Sequence, residues 1–239
     1  MSLSARPALH RNFHRLAWFA MIMTASTIMF GGLGCPDWPT CYGQATWPQH
    51  VEETIGHPAA EIRPLETHKA WREQVHRFLA GALGIEILTL ALLATRKRRF
   101  GTTAVVTACV LVAAGIPLYM MGWHGTASAL ALIGGAILLI AALRWSNIDL
   151  ARAALLTLAV VIFQALLGMW TVTLLLKPIV VMGHLLGGML MFALLAWMAW
   201  RATHMPITLA EAPKLKWLLR IGLAVLVTQI ALGAWVSAN

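Results

Sequence analysis

Residues 179–200 read IVVMGHLLGGMLMFALLAWMAW, with no charged side chain anywhere in the run. A helix rises about 1.5 Å per residue, so this stretch is long enough to cross the roughly 30 Å hydrocarbon core of a bilayer. One polar residue, His184, interrupts it. An imidazole inside a membrane is costly unless something binds its nitrogens. The stretch therefore predicts a transmembrane helix and, within it, a polar group whose partner must be found.

Similar apolar runs occur at roughly 15–34, 75–95, 102–121, 127–144, 152–172 and 216–236. Together they predict about seven spans and an all-α fold, a polytopic transmembrane helical bundle. Composition agrees. Of 239 residues 59% are hydrophobic and 11% charged, against about 25% charged in a soluble domain, and the mean hydropathy is +0.74. One soluble core could not hide that much apolar surface. The first run could instead be a cleaved signal peptide, but it is long for a signal h-region and Leu33 sits poorly for lipoprotein cleavage.

The net charge of +9 follows membrane topology. With the N-terminal tail 1–14 in the cytoplasm, the inner side holds Arg6, Arg11 and Arg15, the Arg96–Arg99 cluster, Arg144 and Arg152, and Arg201, Lys214, Lys216 and Arg220. The outer side holds only Arg63, Lys69, Arg72, Arg77 and Lys177. An excess of basic residues marks the cytoplasmic face. The charge thus points to membrane lipid as the surroundings, and no aromatic-basic interleaving suggests nucleic acid.

This orientation puts the loop 35–73 outside, in an oxidising compartment where a disulfide between Cys35 and Cys41 would persist. Pro36 and Pro39 stiffen the segment between them. The pair reads either as a structural clip or as a redox-active pair. Cys109 falls inside a span and reads as a small buried apolar residue. Zinc would need further ligands near the pair, and no Cys-x-x-Cys-His sequence for covalent heme exists. The loop also carries Glu52, Glu53, Glu61 and Glu66, and its length favours a functional cap over a simple connection.

Of nine histidines, only His76 and His184 fall in embedded helical segments. Each lies within a turn or two of the start of a span entering from the outer face, so their depths match. Two axial ligands of one heme iron must face each other across the porphyrin, and imidazoles on two helices of a bundle can do so. The competing reading is that each histidine hydrogen-bonds a neighbouring helix. Gly187 and Gly188 would allow close approach of a flat macrocycle or of another helix. Glu73 lies three residues before His76, on the same helical face, where a carboxylate could orient the ligand or move protons. Arg77 could pair with a heme propionate or simply snorkel to the interface. Glu86 is deeper and needs a partner or a proton. An internal echo links QALLGMWTV at Gln164 with QIALGAWVS at Gln229, a hint of duplicated helices or of a shared small-residue packing face.

Four pieces in this order resemble the heme A synthase family: GLGCPDWPTCYG after the first span, EQVHR opening the second, QALLGMWTVTL in the fifth and HLLGGM in the sixth. The resemblance covers most of 31–95 and 152–239. It implies a bacterial inner-membrane protein of two four-helix halves that oxidises a methyl of heme O to the formyl of heme A. Two hydroxylations give a hydrate, which loses water. His76 and His184 would ligate heme O in the N-terminal half, Glu73 would be the acidic catalytic residue, and Cys35 and Cys41 the outer, periplasmic cysteine pair. Heme b belongs to the family's second half. Implied partners are heme O, a heme O synthase and an electron acceptor, with a homo-oligomer open. The chain departs from the family pattern in reading STIMFGG where an Arg-Leu-Thr type stretch is usual. It is organised as 15–95, an extra transmembrane hairpin at 102–145, spans 152–200 completing the first half, and 216–239 as the first helix of a second half. On that layout the 239 residues alone are not expected to make heme A efficiently. The alternative function is a non-enzymatic bis-His heme protein of electron transfer or oxidase assembly. A transporter or structural membrane protein without cofactor is the third.

The orientation is testable by reporter fusion. A reporter after Arg99 should read cytoplasmic and one after Lys177 external; the reverse would overturn both the orientation and the argument for an oxidised loop.

Overall fold

Hydrocarbon offers the peptide group no hydrogen-bond partner, so a chain crossing it must satisfy its backbone internally. The computed structural model describes residues 12–32, 67–145, 149–174, 177–204 and 212–237, and its regular elements are all α-helices. They are α1 (Phe13–Gly32), α2 (Thr67–Thr95), α3 (Gly101–Met120), α4 (His124–Ala142), α5 (Leu150–Thr173), α6 (Pro178–Thr203) and α7 (Ala212–Ser237). Threonine hydroxyls inside the helices turn back on the carbonyl four residues earlier. Thr24 donates to Ala20 O at 2.7 Å, Thr95 to Ala91 O at 2.7 Å and Thr157 to Ala153 O at 2.9 Å. Their polarity is thus absorbed locally and does not oppose burial.

Six of the seven helices are long and apolar enough to cross a membrane, against the seven spans expected. The exception is α1, whose first turn carries His14 and Arg15 and whose second half carries Thr24, Ser26 and Thr27. A second difference concerns the loop expected at 35–73. Its last seven residues, 67–73, already belong to α2. Hydropathy marks where a helix enters apolar surroundings, whereas the helix itself runs on through the polar Thr67–Glu73 turns. Cys35 and Cys41 lie outside the described residues.

The chain divides into two compact units, and the division falls within α1, α2, α5 and α6. Unit 1 comprises residues 1–25, 80–166 and 191–204. Its α3–α4 hairpin is joined by three residues, with Gly122 at φ +84° making the turn. Ala127, Ala131, Gly134, Leu138 and Ala142 form the buried stripe of α4 and face the α3 stripe that includes Ala108 and Gly115. Small residues let two backbones approach closely, the usual basis of helix association where apolar burial gives no drive. A Cβ on Gly134 would stand 3.2 Å from Ala108 O, and one on Gly115 3.3 Å from Ala127 O. At the start of α5, Asp149 accepts the backbone N–H of Ala151 at 2.9 Å, an N-cap. Its other oxygen pairs with Arg98, tying the α2–α3 connection to α5.

Unit 2 comprises residues 26–79, 167–190 and 205–239. It holds one end each of α1, α2, α5 and α6, with Glu73, His76, Arg77 and His184 among their residues, and α7. Leu219, Ile221, Leu223 and Val225 of α7 are exposed, while Ala234 is buried.

The α3–α4 contact gives a paired prediction. Gly134→Ala pushes a methyl against backbone, which cannot yield, and should destabilise the protein in detergent by about 1–3 kcal/mol. Gly135→Ala, with nothing among the described residues within 4 Å of its Cβ, should be neutral or slightly stabilising. Thermal unfolding of the two variants decides; equal effects would remove the close-approach argument.

Candidate functional site

His76 and His184 meet in unit 2. The centres of their rings are 6.5 Å apart and the ring planes are inclined by 76°. His76 sits on α2, nine residues after its start, and His184 on α6, six residues after Pro178. Proline is well suited to that first position, where its missing N–H costs nothing. The two residues are thus not level counted from their helix starts, yet the rings come together.

The end of α1 completes the setting. The carbonyl of Thr27 lies 2.8 Å from His76 Nδ1. A carbonyl can only accept, so Nδ1 carries the proton and Nε2 keeps its lone pair. One turn on, Gly31 leaves its side-chain space to the same ring: a Cβ there would lie 2.9 Å from His76 Cε1. On α5, Gly168 faces His184, and a Cβ there would be 3.4 Å from His184 Cε1. Gly188 of α6 lies against Ile28 of α1, with a virtual Cβ 3.6 Å from Ile28 Cγ1. That is ordinary van der Waals contact with a side chain of α1.

These residues fit a metal held between the two imidazoles. A metal–imidazole bond is about 2 Å, and the ring centre lies about 1 Å behind its nitrogen. Two imidazoles that bound one metal atom between them would hold their centres about 6 Å apart, close to the 6.5 Å found here. The tautomer of His76 suits the same role, since its second nitrogen is held by a backbone carbonyl, as ligand histidines usually are.

Glu73 lies one turn before His76 and accepts a hydrogen bond from Arg77 Nε at 3.1 Å. The Glu73 side chain is only 17% exposed against 47% for Arg77. The pair therefore shields the carboxylate while the guanidinium reaches outward. Cys109 is a free, partly buried thiol on α3, in unit 1. Two other residues marked in the sequence, Glu86 and Gln164, also lie in unit 1 and not in unit 2. Glu86 Oε2 and Gln164 Nε2 are buried without a hydrogen-bond partner among the described residues. Gln164 drew notice in the sequence only as part of the internal echo. Thr27 and Gly31 drew notice there only within the STIMFGG stretch that departs from the family pattern, and not as neighbours of His76, because a backbone carbonyl and an absent side chain leave no chemical signature. Gly168 was visible only as the glycine of that echo.

The family described as cytochrome oxidase assembly protein matches residues 14–132 and 125–239. Heme A synthase of Shewanella oneidensis (strain MR-1) is 31% identical over 241 residues, an alignment that takes in 94% of this chain. The chain spans 58% of the length of that curated relative. No solved structure matches.

Proposed function

The chain belongs to the cytochrome oxidase assembly protein family, and on that footing we propose that it serves the conversion of heme O to heme A, holding heme O between His76 and His184. The observation that carries this reading is the pair of imidazoles with ring centres 6.5 Å apart. The name of the Shewanella relative, heme A synthase, supports the choice of substrate. Bound heme O would supply both the iron and the methyl group to be oxidised.

The chain's own residues then divide the work. The Nε2 atoms of His76 and His184 would bind the iron. Thr27 O holds the His76 proton on Nδ1, so that nitrogen is not available to compete for metal. Glu73, largely shielded and next to the ligand's helical face, would hold or pass protons released as the methyl is oxidised. Arg77 Nε donates to Glu73 Oε1 and orients that carboxylate, and it lies at the surface, where a propionate would emerge. Gly31 and Gly168 keep the space beside the rings clear of side chains.

The remaining parts of the reading concern surroundings. We place the protein in a bacterial inner membrane with the N-terminus cytoplasmic and 35–73 periplasmic, on the distribution of basic residues. Cys35 and Cys41 would form a disulfide there, stapling a cap over the heme edge. The α3–α4 hairpin is an addition to the heme-holding helices. Heme b would be a second cofactor of the pathway, and a heme O synthase and an electron acceptor its functional partners.

Optical spectra and product analysis test the proposal. The purified protein should show a six-coordinate, low-spin heme spectrum that His76→Ala and His184→Ala each abolish. In membranes of heme O-producing cells with the native oxidase-assembly machinery, Glu73→Gln should retain heme but lower heme A formation by about 100-fold or more. Unchanged spectra in both histidine variants would refute the ligand pair. Heme loss in Glu73→Gln equal to that in His76→Ala would make Glu73 structural. Full heme binding with no heme A in any wild-type membrane would favour the electron-transfer alternative.

A further inference from the structure

We propose that Gly31 is a positioning residue for His76: its missing side chain and the Thr27 carbonyl form a socket on α1 that sets the imidazole for metal binding. This rests on the reading of His76 as an iron ligand and adds to it a residue outside the helices that carry the ligands.

Thr27 and Gly31 are four residues apart and so stack on one face of α1. Thr27 O accepts a hydrogen bond from His76 Nδ1 at 2.8 Å. Gly31 admits the flank of the ring. A Cβ at 31 would stand 2.9 Å from Cε1, 3.0 Å from Nδ1 and 3.6 Å from Nε2, touching three atoms of the imidazole. Glycine is frequent at helix ends because it adopts positive φ, but that does not explain this one. Among the described residues Gly122 is the glycine with positive φ, and Gly31 is helical. The contact, not the backbone conformation, requires glycine.

The direction of the response follows from which partner can move. Both Gly31 and the His76 backbone are held in helices, whereas the ring sits at the end of a side chain with two rotatable bonds. A methyl at 31 would swing the ring off the Thr27 carbonyl and turn Nε2 away from its binding direction, leaving the helices in place. Partners that orient a ligand histidine typically contribute 10- to 100-fold in metal affinity. Gly32, one residue on, is the matched control: among the described residues nothing lies within 4 Å of its Cβ.

The test titrates the purified full chain with ferric heme b in detergent, for wild type, Gly31→Ala, Gly32→Ala and His76→Ala. Gly31→Ala is expected to bind heme about 10- to 100-fold more weakly and to shift from a low-spin to a high-spin spectrum. Added imidazole should restore the low-spin form in Gly31→Ala as in His76→Ala, and Gly32→Ala should match wild type. A second readout needs no heme: nitrogen NMR of labelled histidine should find His76 as the Nδ1–H tautomer in wild type, with that state weakened in Gly31→Ala. Wild-type affinity and spin state in Gly31→Ala, or an Nε2–H tautomer in the wild type, overturns the socket and leaves the ligand assignment standing. Heme loss in Gly31→Ala that imidazole does not restore makes Gly31 a folding residue and overturns the proposal as well. If His76→Ala leaves the wild-type heme spectrum unchanged, the ligand reading fails, and with it the positioning role.

Discussion

Every peptide group of a chain in hydrocarbon must find its hydrogen bond within the chain, and the rest of this structure depends on that constraint. It makes helices the elements and leaves side chains as the sole carriers of chemistry inside the membrane. Threonines comply by bonding to their own helix, as Thr24, Thr95 and Thr157 do. Histidine cannot comply that way with both nitrogens. His76 resolves half of its demand on a neighbouring helix, at Thr27 O, and presents the other half to whatever the site binds. Burial in a membrane thus converts a polar side chain into a directed ligand.

Association between the helices obeys a second rule. Lipid solvates apolar side chains as well as another helix does, so contacts depend on shape. Exposed Leu219, Leu223 and Leu226 on α7 therefore carry no penalty of the kind they would in water. Close packing instead marks positions where side chains are small, as along Ala127, Ala131 and Gly134. The buried Glu86 and Gln164 atoms without partners among the described residues stand out against this background, since the surroundings cannot solvate them.

Most of the fold was legible because its signal is one-dimensional. The run 179–200 announces a helix by composition alone, and the helices lie close to the apolar runs. What hydropathy could not read was where a helix continues beyond the membrane-like stretch, hence the early start of α2 at Thr67, or where polar residues dilute a helix, hence the standing of α1. The pairing of His76 with His184 was legible too, because two embedded histidines near helix ends on the same side have few other places to go. Their socket was not. Thr27 contributes its backbone, identical in every residue, and Gly31 contributes an absence. Neither distinguishes itself in a sequence already rich in threonine and glycine.

Glycine nonetheless has two different meanings in this molecule, and the neighbour decides which. At Gly134 the atom nearest to the empty position is a backbone oxygen of Ala108, and the next is that residue's Cα. Backbone held in a helix cannot yield, so the vacancy is what permits the two helices to touch, and its value is stability. At Gly31 the nearest atoms belong to an imidazole. A side-chain terminus yields readily, so filling that vacancy leaves the helices together and disturbs only the direction in which a ligand points. The first kind of glycine belongs to the fold and the second to the site. An empty position alone would not separate them, because a Cβ at either glycine would meet an atom within 3.3 Å. What separates them is the stiffness of the atom on the other side. The site in unit 2 can therefore be tuned through α1, a helix carrying neither ligand, without disturbing the packing that holds the fold.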